Sequence, residues 1–247
     1  MNQTNFKEVF PMKKPVIGML HMAGDCGITQ SLRELEIYQR AGVDAVIVEN
    51  YHASTTVITN ALGNIMRDCK DMIVGINILP NEYVEAFQLA KEFHLKFIQL
   101  DIIAGKYEKG GIDIDRFNTY RERYDPDGNI VILGGVWPKY YKPIEHSSLQ
   151  SDVQEGKERA DAIVVTGNAT GNETPLKKIK TFREILGDFP LIVGAGLNTE
   201  NVTDQLSIAD GGIVGSAFKP YGETEKLVEF EKVEKFMDKV HALRQTV

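Results

Sequence analysis

His21, Glu49, Asn77, Asp101 and Thr166 each follow directly on a short apolar run, and Lys139 stands two residues beyond another. Imidazole, carboxylate and amine groups are the ones that move protons or polarise a substrate near neutral pH. A polar side chain behind an apolar run is costly to bury unless paired, so one at almost every run end is informative as a set. Glu49 is the expected acid/base group, because burial at an apolar mouth would raise its pKa toward a useful range. The alternative for Glu49 is a structural carboxylate bonded to a neighbouring loop. Asp101 is a candidate second carboxylate, with His21 as a partner. Lys139 reads as an amine nucleophile, an electrophilic helper or a phosphate clamp, or else as part of a solvated loop that packs Tyr140 and Tyr141. His21, Glu49 and Asp101 could instead share a divalent ion, but no HxH or HExxH spacing supports it and no cofactor is expected.

Two further runs, Val193-Gly194-Ala195-Gly196 and Val214-Gly215-Ser216-Ala217, end in glycine and small residues, with one brief helical pattern between them. A phosphate needs exposed backbone N–H groups that a Cβ would block, so Gly194, Gly196, Gly215 and Ser216 suit an anion site. Close strand–helix packing is the other explanation of the same glycines. Lys219 is either a point charge for that anion or a surface lysine. Asn198 or Thr199 is expected to cap the following helix. Asn50, Asn77, Thr166, Gly167 and Thr170 complete the candidate substrate contacts. His52 could reach the same mouth, whereas His94, His146 and His241 fall in surface patterns.

The elements that would position these residues alternate strictly. Apolar runs begin near Pro15, Asp44, Met72, Lys96, Asn129, Asp161, Pro190 and Asp210, and an amphipathic helical pattern follows each. Ser31 with Glu34 reads as a capping box for the first of these helices. The last, LVEFEKVEKFMDKVHAL, places Leu227, Phe230, Val233, Phe236 or Met237, and Val240 on one face. Runs such as AVIV, IVIL and AIVV are apolar throughout, as parallel strands buried on both faces must be. Eight strands and eight helices in a chain of 247 residues predict a closed (β/α)8 barrel of parallel strands, with a C-terminal helix. A doubly wound open sheet is the competitor, since counting elements does not show closure. The barrel reading makes residues 1–247 one domain, with 1–13 as an N-terminal extension. It also places the residues above at the C-terminal ends of the strands, where such barrels bind ligands.

Composition narrows the classes. The net charge of −7, with both signs interspersed, argues against a nucleic-acid surface. No apolar run approaches the ~20 residues that span a bilayer, and no secretory leader is evident, so a cytoplasmic location is expected. Cys26 and Cys69 are expected to be reduced thiols. Asn168, Asn172 and Asn201 read as turn residues. A homo-oligomer is expected on general grounds.

The segments KPVIGMLH, AGVDAVIVEN, VGINILPNEYVEAFQLAKE, DAIVVTGNATG and GLNTENV with ADGGIVGSAFK, in that order from Lys14 to Met237, resemble the BtpA family. The resemblance implies a TIM barrel grouped with ribulose-phosphate-binding barrels. It also implies a link to photosystem I accumulation, the source of a membrane-biogenesis label. The match carries over to His21, Glu49, Asn50, Asn77, Lys139, Thr166, Gly167, Thr170, Gly171, Gly196, Asn201, Asp210, Gly211, Gly215 and Lys219. It departs where MAGDCG replaces a Pro/Gly-rich loop, where HAST follows Tyr51 in place of an aspartate, and where Asp101 replaces an asparagine. Gly135 and Tyr140 stand where an acid and a histidine are usual. The expected function is binding of a phosphorylated small molecule, a sugar phosphate or phosphoribosyl compound, with isomerase, epimerase or lyase chemistry by proton transfer. A non-catalytic assembly factor for a membrane complex and a metal-dependent hydrolase are the alternatives.

Overall fold

A computed structural model describes residues 4–23, 27–68 and 72–246; Cys26 and Cys69 lie outside that set. A short helix α1 (Thr4–Val9) precedes eight strand–helix units. The strands are β1 (Val16–Leu20), β2 (Ala45–Glu49), β3 (Ile73–Asn77), β4 (Phe97–Leu100), β5 (Val131–Gly135), β6 (Ala162–Val165), β7 (Leu191–Val193) and β8 (Gly211–Val214). The helices after them are α2 (Gly27–Arg40), α3 (Thr55–Asp68), α4 (Tyr83–Glu92), α5 (Ile114–Tyr124), α6 (Leu149–Arg159), α7 (Leu176–Leu186), α8 (Val202–Ile208) and α9 (Phe230–Arg244). All eight strands run parallel in sequence order, and β8 pairs back onto β1 through Ile213 and Ile17. The sheet is therefore a closed barrel, and the open-sheet alternative falls.

Side-chain alternation divides the core in two. Ile17, Met19, Ala45, Ile47, Phe97, Val131, Leu133, Ala162, Val164, Ile192 and Ile213 point inward and fill the barrel. Their neighbours, among them Val46, Val48, Ile76, Ile98, Ile132, Ile163, Val165 and Val214, pack against the helices. A Cβ at Gly75 would lie 2.4 Å from the Phe97 ring, so this glycine makes room for the largest interior side chain. The residues expected as an extension do structural work: Phe6 and Phe10 close the N-terminal end, with the Phe10 ring 5.3 Å from that of Phe97.

One device recurs at that end. Asp44, Asp161 and Asp210 each stand just before a strand and accept an N–H from the strand before it. The donors are Val16 (2.8 Å), Ile132 (2.9 Å) and Leu191 (2.9 Å), respectively. Each carboxylate is also paired with an arginine, Arg244, Arg121 and Arg183 in turn. The clips satisfy amides that the barrel ladder leaves open.

Two local expectations fail. α2 begins at Gly27, so Ser31 lies inside the helix and its hydroxyl donates back to the Gly27 carbonyl at 2.5 Å. Glu34 is then buried rather than capping, because a carboxylate one turn further on faces the barrel wall. The closing helix starts at Phe230. Leu227 lies before it and is exposed, while Val228 takes the buried place.

Candidate active site

The inward alternation of the strands continues one step past the apolar layers and delivers a ring of polar groups. Met19 is followed on its face by His21, Ile47 by Glu49, Gly75 by Asn77, Gln99 by Asp101, and Val164 by Thr166. His21, Glu49, Asn77, Asp101 and Thr166 line a cavity of about 380 Å³ at the C-terminal mouth. Glu49 and Asn77 are register partners across β2 and β3, which fixes a 2.8 Å bond from Asn77 Nδ2 to Glu49 Oε1. The same nitrogen donates to Gln99 Oε1 at 2.7 Å. Gln99 is a site residue that residue type alone hides, since it sits mid-strand; its signal is the two-residue spacing to Asp101.

Burial pushes the Glu49 carboxyl up to about 7; Lys139 and the Asn77 bond pull the other way, and Asp101 reinforces the rise. Burial also raises Asp101, against Lys139, Asn77 and Gln99. His21 is driven down to about 3, chiefly by burial and then by the Lys219, His52 and Lys139 charges. Its ring is therefore neutral at physiological pH. The 3.9 Å approach of His21 Nε2 to Glu49 Oε2 is neither an ion pair nor a hydrogen bond.

Lys139 reaches the cavity. Its backbone N–H donates to Thr166 Oγ1 (2.7 Å) and its ammonium to Thr170 Oγ1 (3.0 Å), and the same half-buried side chain lies against the Tyr140 ring. Tyr140 and Tyr141, from the same loop, rim the mouth with Tyr51. These tyrosines were not expected as site residues; only an exposed ring beside an apolar strand end would have flagged them.

The glycines mostly answer to packing. An added Cβ would lie 2.5 Å from Val164 Cγ1 at Gly194, 2.1 Å from the Asn172 carbonyl at Gly196, and 2.7 Å from His21 Cε1 at Gly215. Gly196 additionally has φ +66, a conformation that a side chain rarely adopts. Ser216 and Gly196 nevertheless line both the central cavity and a second cleft of about 420 Å³ that also meets Gly171, Asn198 and Ala217. Neither Asn198 nor Thr199 caps α8 through its side chain. Asn198 Oδ1 instead accepts the N–H groups of Glu200 and Asn201 in a tight turn.

Four sequence candidates turn away from the cavity. Asn50 spends both ends of its amide on the Leu79 backbone, and so braces the loop after β3. Gly167 packs against the Asn172 and Glu173 carbonyls, outside the cavity lining. Lys219 is neither a surface lysine nor a free charge. Only 1% exposed, it pairs with Glu34 at 2.9 Å and donates to the Thr224 carbonyl at 2.8 Å. His52 bonds Thr224 Oγ1 instead of facing the mouth. His94, His146 and His241 are exposed. Among the described residues no three His, Cys, Asp or Glu side chains come together as metal donors, so the His21–Glu49–Asp101 metal reading has no geometric support.

Sequence profiles agree with this architecture. The profile of the BtpA family matches residues 12–242. The chain belongs to the BtpA family. An uncharacterized protein of Thermococcus kodakarensis is 30% identical over 259 residues, covering 95% of this chain and 98% of its own length. The photosystem I biogenesis protein BtpA of Synechocystis is 25% identical over 256 residues, covering 94% and 89%. Among solved structures, one described as native KDPGal superposes with a TM-score of 0.64 at 15% identity, covering 95% of this chain and 98% of that one. N-(5'-phosphoribosyl)anthranilate isomerase from Pyrococcus furiosus gives 0.61 at 16%, covering 95% and 100%. At such identities the likeness speaks to the fold alone. Within the family pattern an acid is expected at the end of β5, but here a Cβ on Gly135 would lie 2.0 Å from the Asp101 carbonyl oxygen. Asp101, just after β4, lines the cavity of this BtpA-family barrel together with Glu49. No helix among the described residues is long and apolar enough to cross a membrane.

Proposed function

We propose that this BtpA-family barrel binds a phosphorylated small molecule, a sugar phosphate or a phosphoribosyl compound, and moves a proton on it. The observation that carries the reading is Glu49: a carboxylate at the cavity floor, 7% exposed, with its pKa lifted to about 7 and a lysine within its field. Such a group is half ionised at neutral pH, where a general base or acid is most effective. In the reaction Glu49 takes or returns the proton, and Lys139 stabilises the negative charge that develops on the neighbouring oxygen. His21, which is neutral, and Asp101 border the same space and orient the substrate. The phosphate belongs on the β7/β8 side, beside Gly196 and Ser216. The first amides of the turn Ser216–Phe218 have no acceptor within that turn.

The test is thermal denaturation against sugar phosphates, phosphoribosyl compounds and inorganic phosphate, with Ser216→Glu as the blocked variant. Gly215→Asp would be a poor control, since its Cβ would strike His21. A phosphate ester that raises the midpoint of the parent but not of Ser216→Glu supports the reading and nominates a substrate to assay. A flat panel with both proteins folded would remove it and favour a non-catalytic partner role.

A further inference from the structure

The ammonium groups of Lys14, Lys178 and Lys219 are spent on the protein itself. Lys14 donates to the Ala209 carbonyl, Lys178 to those of Trp137 and Thr166, and Lys219 to Glu34 and the Thr224 carbonyl. Lys139, half-buried just after β5, differs from all three. An ammonium carries three donors, yet among the described residues Lys139 Nζ meets one acceptor, the Thr170 hydroxyl at 3.0 Å. Its other donors are left for the cavity that the side chain lines.

The base of this side chain is held, and its tip is central. The Lys139 N–H is fixed on Thr166 Oγ1 at 2.7 Å, and Nζ stands 5.9 Å from the centre of the Tyr140 ring. Its charge is felt by Glu49, Asp101 and His21 alike, so one amine reaches toward all three ionisable groups of the cavity. Met19, Leu79, Val164 and Ile213 line the same space with apolar surface. A lysine that serves only as a buried charge is paired with a carboxylate, as Lys219 is. One that faces a cavity with donors to spare and a proton acceptor at hand is arranged as an amine nucleophile.

We infer that Lys139 forms a covalent imine with an aldehyde or ketone carbonyl of the ligand. The Glu49 carboxylate takes one proton from the ammonium, and the freed lone pair attacks the carbonyl carbon. A C–N bond forms, the C=O π pair moves to oxygen, and a second amine proton passes to that oxygen. Glu49 then returns its proton to the hydroxyl, which leaves as water, and a protonated imine remains. The iminium draws electrons from the adjacent carbon, and the ionised Glu49 can take the proton there. This rests on the proton-transfer reading above and gives Lys139 a bond to the substrate where that reading gives it a charge.

The test is reductive trapping on the full chain. Pyruvate, dihydroxyacetone phosphate and glyceraldehyde 3-phosphate are each added with sodium cyanoborohydride, and the adduct is located by mass spectrometry. At least one probe is expected to give a single adduct on Lys139 that is lost in Lys139→Met. Lys139→Arg keeps the cation, so loss of the adduct there at an unchanged thermal midpoint distinguishes a missing nucleophile from a disturbed fold. Lys142→Met removes an exposed lysine and should leave the adduct in place. Label spread evenly over surface lysines, or none with any probe, would overturn the inference. Exchange of carbon-bound hydrogen of pyruvate and dihydroxyacetone phosphate in D2O, followed by NMR, keeps the two readings apart. Exchange that is lost in Glu49→Gln, with no adduct trapped in the parent, would leave proton transfer standing and remove the imine. A trapped adduct without exchange would uphold the imine and remove Glu49 as the base.

Discussion

Glu49 ties stability and chemistry to one proton. Its ordinary value is 4.5 and its folded value about 7, so the native state holds the proton more tightly than the unfolded chain does. The stabilisation is fully present below pH 4.5 and disappears as pH rises through 7, a change of about 3 kcal/mol. Glu49→Gln should flatten the profile of urea stability across that window and be the more stable protein above it; parallel profiles would contradict the burial argument. The proposed role of Glu49 as the base requires it ionised, so on that reading kcat/KM on an identified substrate should fall as pH drops below about 7 and collapse in Glu49→Gln. His21 has the opposite sign: with a folded value of about 3, its contribution is present above 6.5 and is lost as pH falls toward 3. Residue types made Glu49, His21, Asn77 and Lys139 readable, since a polar group behind an apolar run has few other places to go. The Lys219–Glu34 pair was not readable, because its partners lie 185 residues apart and nothing local announces it. Removing either partner leaves the other charge buried; Lys219→Met should cost about 3–5 kcal/mol in denaturant titration, and Lys219→Met with Glu34→Leu should recover much of it.

Strands reveal themselves by composition, and their ends by alternation. The eight runs could be counted because each is apolar on both faces and followed by a helical period, which leaves a parallel arrangement as the economical packing. Helix starts were less legible: Ser31 and Glu34 match a cap in spacing, but the helix extends back to Gly27, where no side-chain signal marks it. The Asp–Arg clips at the strand beginnings were present in the sequence as the repeated Asp in DAVIV, DAIVV and DGGIV, a signature whose use appears only once neighbouring strands are paired. Asp161 is the most enclosed of the three, 2% exposed, and accepts the Ile132 N–H beside Arg121. Asp161→Ala should destabilise the fold by about 1–3 kcal/mol in chemical denaturation, for it leaves the buried Ile132 N–H without its acceptor. The affinity for whichever phosphate ester binds the parent should not change, since the clip is at the opposite end from the cavity. A weakened ligand with unchanged stability would contradict that division.

For the molecule as a whole, closure was expected from eight strand–helix units in a chain of this length, and the pairing of β8 with β1 bears it out, although the order of elements alone fits an open sheet too. Closure depends on β8 meeting β1, a contact between the two ends of the chain. Phe6 and Phe10 complete the job from below, and Phe10→Ala should cost about 3–5 kcal/mol by emptying a site that is 2% exposed. Denaturant titration checks it, and a loss under 1 kcal/mol would mean that the end relaxes shut. The stopper has a kinetic consequence. With the barrel interior filled by side chains from Ile17 to Ile213 and stoppered by Phe6 and Phe10, the cavity is a cul-de-sac, and whatever goes in must back out through the tyrosine doorway. Under the proposed proton-transfer reading, departing product and arriving substrate exclude one another, so the product should inhibit by simple competition.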